Sequence, residues 1–138
     1  MTQEHKELIL KDISGRLPYC PIVQITLFRN EGIKSDIDLD AHVTENIWEI
    51  IDKYHALAYL RPMSSMTIEE ICKIRNIIGD EFSYENGTLT LNTEDVIRIP
   101  IYKMSNLLQF MYQRHLDFNN LIPMGLALEA PKDMYNIN

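Results

Sequence analysis

The densest set of possible metal ligands is Asp36-Ile37-Asp38-Leu39-Asp40, followed by His42. On an extended chain alternate residues share a face, so the three carboxylates would point the same way, about 7 Å apart. Hard cations such as Ca²⁺ and Mg²⁺ take several oxygen ligands, and Asp36, Asp38, Asp40 and His42 are therefore the candidates for a metal-assisted hydrolase. The calcium-loop pattern is broken, however. Ala41 stands where its glycine is needed, and Ile47 where its bidentate glutamate should be. A charged strand face that discourages edge pairing accounts for the same residues with less chemistry.

His5, His42, His55 and His115 are scattered, and none belongs to a His-Glu-x-x-His arrangement. Two lone cysteines, Cys20 and Cys72, cannot supply a four-ligand zinc site without distant partners. Asp52 with His55, and His115 with Asp117, are close enough in sequence for acid/base pairs, yet such neighbours are more often surface hydrogen bonds. Both cysteines read as small packing residues. The chain has no Gly-x-Ser-x-Gly elbow, no Gly-x-x-x-x-Gly-Lys loop and no Gly-x-Gly-x-x-Gly fingerprint. No cofactor is implied, and a non-enzymatic protein is the expectation.

Two segments carry the strongest binding signal. Arg61-Pro62-Met63-Ser64-Ser65-Met66 puts two methionines and two hydroxyls directly before a helix, and Leu121 to Leu128 is apolar but contains Pro123, Met124 and Gly125. Methionine adapts to irregular surfaces, so a groove or an oligomer contact built from Met63, Met66 and Met124 is conceivable. The free N–H groups after Ser65, with Arg61 beside them, could also hold an anion such as a phosphate. Arg61, Met63, Ser64, Ser65, Met66, Pro123, Met124 and Gly125 are thus the candidate site. Packing of the two segments against each other is the plainer reading.

Short elements must position these residues. Thr2 caps a first helix whose apolar face is Ile9, Ile13 and Leu17, with Gly15 and Pro18 as its stop. Ile22–Phe28 is β-branched and reads as a strand, with Ile37-Asp38-Leu39 as a returning strand. A second helix begins near Thr44 on Ile47, Trp48, Ile50, Ile51 and Tyr54, followed by a short buried strand over 56–60. Thr67 and Glu70 form a capping box for a third helix, with Met66 and Ile71 as its hydrophobic staple and Gly79 as its end. Phe82–Leu91 reads as a hairpin around Asn86-Gly87. Val96–Ile101 looks extended, and a last helix should start near Ser105.

The chain has 138 residues, with 46% hydrophobic and 24% charged, as one soluble domain would. Strands and helices interleave without a βαβ rhythm. The expected fold is α+β: one domain over residues 1–138, with about four helices on one face of a small, mostly antiparallel sheet, fraying from about residue 132. Asp and Glu number 20 against 13 Lys and Arg, a net charge of -7 that works against generic nucleic-acid binding. The polar start and the absence of a long apolar run point to a cytoplasmic protein with reduced thiols and no membrane contact. A small chain with apolar surface segments could also pair as a homodimer.

Three blocks carry a family resemblance: Lys11-Asp12-Ile13 with Arg16-Leu17-Pro18-Tyr19, then Tyr59–Thr67, then Leu121–Tyr135. Together they resemble a family of small uncharacterised proteins of Bacteroidales gut bacteria and their phages or prophages. The family pattern has glycine after the Leu-Pro-Tyr triplet, where this chain has Cys20. The resemblance brings a setting and no catalytic residue. It implies a phage- or prophage-encoded protein in the host cytosol that binds a host protein, or sequesters a small ligand such as a signalling nucleotide, in a counter-defence role.

Overall fold

Local start signals set the helices, and the computed structural model describes residues 2–28, 32–39, 47–80, 82–91 and 100–135. The first helix, α1, spans Gln3–Arg16, and the Thr2 hydroxyl accepts from the His5 N–H. A 3₁₀ turn over Leu17–Tyr19 leads to strand β1, Ile22–Phe28, which pairs antiparallel with β2, Ile33–Asp38. Helix α2, Ile47–Tyr54, precedes the short strand β3, Leu57–Leu60. A second 3₁₀ turn over Met63–Ser65 then opens helix α3, Ile68–Ile78. Hairpin strands β4, Phe82–Glu85, and β5, Thr88–Leu91, precede α4, Ile101–Gln113, and a last strand β6, Ala127–Glu129. Asp40 and His42, and residues 96–99 of the segment expected to be extended over 96–101, lie outside the described residues, while Ile101 is the first residue of α4.

The fold is α+β, with sheet order β2-β1-β3-β6 and a separate two-stranded sheet β4-β5. Pairing is antiparallel except between β3 and β6. The helices divide between two cores instead of sharing one sheet face. Ile9, Ile13, Val23, Ile51 and Leu60 belong to a cluster formed by α1, α2 and the larger sheet. Ile74, Ile78, Leu107, Met111 and Leu116 form another, to which the hairpin contributes Phe82, Tyr84 and Leu89. Each core closes a sheet too small to bury its own apolar face.

Three local expectations are revised. Gly15 lies inside α1, and it is there for room, because a Cβ would stand 2.4 Å from the Tyr112 ring of α4. Helix α4 begins at Ile101, four residues ahead of Ser105, because Pro100 supplies the N-cap with φ -56° and needs no N–H there. The turn-rich C-terminal region contains β6, and it is docked beyond residue 132. The Tyr135 hydroxyl accepts from Ile22 N–H at 2.9 Å and donates to Tyr59 C=O at 2.7 Å. Val23–Ala58 and Gln24–Leu57 are paired, so Ile22 and Tyr59 would be the next rung, and Tyr135 bridges it. Burial at this wedge pushes the Tyr135 phenol up to about 12.

Cys20 and Cys72 are free and exposed, so neither is a packing residue. Cys20 ends the first 3₁₀ turn at φ 53°, ψ 63°, the left-handed region in which a Cβ is costly. Glycine adopts it freely. Replacing Cys20→Gly removes no buried contact, and should raise stability by about 0.5–1 kcal/mol in chemical denaturation, net of glycine's larger unfolded-state entropy.

Candidate functional site

Arg61 does not present a free charge. It leaves β3 on the buried side, 7% exposed, and its guanidinium forms a fork with Glu70 at 2.7 and 2.8 Å. The remaining donors reach Ser65 C=O at 3.0 Å and Arg114 C=O at 3.2 Å. Glu70 is the N3 residue of the α3 capping box, so its carboxylate also accepts from Thr67 N–H at 2.9 Å. The place after Ser65 that could hold an external anion is therefore filled by the chain's own carboxylate. Burial pushes the Glu70 carboxyl up, but hydrogen bonds from Arg61 and Thr67 outweigh it and hold the group below the usual carboxylate range.

A second buried pair faces it. Arg16, fully buried, forks onto Asp12 one helical turn earlier at 2.8 and 2.9 Å and donates to Leu116 C=O at 2.7 Å. Tyr112 and Phe118 flank its guanidinium, with ring centroids 5.2 and 5.6 Å away. Between the two arginines runs 114–117. Arg61 N–H donates to His115 C=O at 2.7 Å, and Asp117 N–H donates to Arg61 C=O at 2.9 Å. Asp117 then accepts from Leu121 and Ile122 N–H at 2.8 and 2.9 Å, which turns the chain toward β6. The His115 ring stacks on Tyr135 at 3.7 Å. Burial and the nearby Arg16 and Arg61 cations lower its pKa to about 4. Of the two sequence-adjacent pairs, Asp117 gives its carboxylate to the Leu121 and Ile122 N–H groups, and Asp52 accepts from Lys6 Nζ.

Of the candidate residues, Met63, Ser64 and Pro123 come together. A depression of about 220 Å³ is lined by Pro62, Met63, Ser64, Asn86, Asn120 and Pro123, with Asp117 at its base. It shares Met63, Gly87, Asp117 and Asn120 with a groove of about 310 Å³ between β5 and α4. Leu89, Leu107, Leu108, Met111 and Phe118 make that groove apolar. Met66 is buried in the second core. Ser65 donates to Pro62 C=O and, with Arg61, borders a different cleft of about 380 Å³ beside Lys132 and Tyr135. Met124 and Gly125 are exposed but line none of these hollows.

Leu107, Leu108 and Met111 are apolar positions of α4, and their opposition to Leu89 depends on how the hairpin docks. A Cβ at Gly87 would stand 3.0 Å from Ser64, so glycine permits that docking as well as the turn. Tyr84 donates to Met63 C=O, which fixes the hairpin against the loop.

The acidic cluster has a structural partner. Asp36, on β2, accepts from Tyr59 OH at 2.9 Å, and Gln24 donates to the same hydroxyl at 3.0 Å. Burial and the Asp36 hydrogen bond raise the Tyr59 phenol. Among the described residues no group of three acidic, histidine or cysteine side chains is placed to hold a metal ion. No helix among them is long and apolar enough to cross a membrane. Comparison with protein-family models, curated proteins and solved structures finds no match.

Two outcomes follow from this geometry. Arg61→Ala breaks the fork on a buried carboxylate that keeps Arg114 Nε at 3.4 Å and the Thr67 N–H, and should cost about 3 kcal/mol of unfolding free energy, the low end for a broken buried pair. Combined with Glu70→Leu, it should cost about 1–3 kcal/mol less than the sum of the single substitutions. An Arg61→Ala variant as stable as the parent would show that the fork contributes nothing. The second outcome concerns pH. His115 has a folded pKa near 4 against 6.5 in the unfolded chain, so its contribution is complete above about pH 6.5 and is lost as the pH falls toward 4. Denaturation series at several pH values should show that slope flattened in His115→Phe, which keeps the stacked ring.

Proposed function

We propose that this chain is a non-enzymatic binding protein, phage- or prophage-encoded, acting in the host cytosol on a host protein. Its docking surface is the groove around Met63, between β5, α4 and the loop after α4. The resemblance of the Tyr59–Thr67 and Leu121–Tyr135 blocks supports the setting. The observation that carries the binding site is the continuous hollow lined by Met63, Leu89, Leu107, Leu108, Met111 and Phe118. Its floor is buried while its rim is open, for Leu108 is 42% exposed. Such an apolar, shaped surface is what a protein partner buries. Arg61, the residue best suited to bind a nucleotide, is engaged by Glu70.

The test places a photo-crosslinking residue at position 108, and at Lys11 on the exposed side of α1 as control, in cells of a Bacteroidales host. A discrete crosslinked host protein is expected from position 108 alone. Leu108→Lys should abolish competition by the unlabelled chain while leaving the melting temperature within about 2 °C, as surface substitutions do. In parallel, nucleotides and Mg²⁺, Mn²⁺, Ca²⁺ or Zn²⁺ should leave the melting temperature unchanged. A ligand at a hundredfold excess over Kd would add about 2.7 kcal/mol. Such a shift, or turnover of any substrate that one substitution removes, would overturn the reading.

A further inference from the structure

We infer that the groove between β5 and α4 takes an extended segment of its partner, added as a strand along β5, with a basic group beside its apolar anchor. The inference rests on the reading of this groove as the docking surface and goes on to the chemistry of what fills it. Gly87, Thr88 and Leu89 line the hollow consecutively. A strand face offers only alternate residues, so the hollow runs along the strand's edge. In the hairpin, Glu85–Thr88 closes the two-residue turn and is the mutually bonded pair, and Tyr84–Leu89 comes next. Alternation in an antiparallel ladder then turns the Leu89 N–H and C=O away from β4. Among the described residues strand β5 pairs only with β4, and Leu89 makes no main-chain bond outside the hairpin. An incoming strand would satisfy both groups while its side chains alternate into the groove.

Size and charge narrow the occupant. Volumes of about 310 and 220 Å³ sit at or below the lower end for small-molecule pockets, about 300–1,000 Å³, and suit one or two peptide side chains each. Among the described residues Asp117 is the sole ionisable group lining either hollow, and no basic side chain lines them. Each carboxylate oxygen of Asp117 already accepts one backbone N–H and keeps lone-pair capacity for another donor. An amine or guanidinium on the partner complements this group and the net charge of -7. Among the described residues a phosphate-bearing ligand finds no counter-charge there.

The deciding experiment selects random peptides displayed on phage against the intact chain, then measures Kd for a synthetic copy of the best binder. Enriched peptides should share an apolar residue with Lys or Arg within about three positions. Leu108→Lys should weaken binding at least tenfold, and so should N-methylation of the peptide at one backbone nitrogen, a probe that needs no variant to fold. Raising the salt from 50 to 500 mM should weaken it severalfold. Peptides that lack a basic residue, or tolerate every N-methylation, would overturn the strand-addition inference while sensitivity to Leu108→Lys left the groove as the docking surface. Peptides indifferent to Leu108→Lys would overturn both. If no peptide is enriched, the inference fails, and crosslinking from position 108 still decides the wider reading.

Discussion

Two buried arginines hold one short stretch of backbone, and the arrangement of the molecule follows from that grip. Arg16 and Arg61 approach residues 114–117 from different elements, and each brings its own carboxylate, Asp12 or Glu70. An unpaired buried charge would cost several kcal/mol, so each guanidinium must stay forked, while Arg16 also donates to Leu116 C=O and Arg61 to Arg114 C=O. Those carbonyls belong to the turn after α4, where His115 adopts φ 59°. The turn is thereby fixed between the core of α1, α2 and the larger sheet and the core of α3, α4 and the hairpin.

That division of labour shapes the surface. Arg16 and Arg61 turn their guanidinium groups inward onto Asp12 and Glu70, whereas Lys6, Lys53 and Arg75 pair with carboxylates nearer the surface. Among the hollows of the described residues, the one beside Leu108 is lined mainly by apolar side chains, with Asp117 among them. Asp117 belongs to both systems. Its N–H is bonded to Arg61, its carboxylate turns the chain toward β6, and the same carboxylate borders the hollow.

The parts legible in the sequence were those governed by neighbours along the chain. Thr67 and Glu70 announced their capping box, Thr2 its cap, and Asn86-Gly87 its turn, with φ 53° and 79° at the two central residues. The candidate site was legible only in part. Met63, Ser64 and Pro123 do meet, but Arg61 looked like a ligand-binding cation because its partner sits nine residues away, already assigned to a cap. Nothing in the local pattern says that one glutamate serves both. Gly15 misled for a similar reason: a glycine near a helix end reads as a stop unless the Tyr112 ring that needs its space is known.

By itself, the sequence determined the α+β class, most strand and helix positions, the hairpin and the lack of familiar catalytic motifs, because periodicity, caps and turn residues act over a few positions. Tertiary structure alone decided that Asp12 serves Arg16 and Glu70 serves Arg61, that β6 runs parallel to β3, that Tyr135 completes a ladder and that Leu89 faces Leu108 across a groove. Each of these depends on groups brought together from distant parts of the chain. Their geometry is set by the joint demand to pack two cores and leave no buried charge unpaired, which no local window of sequence contains.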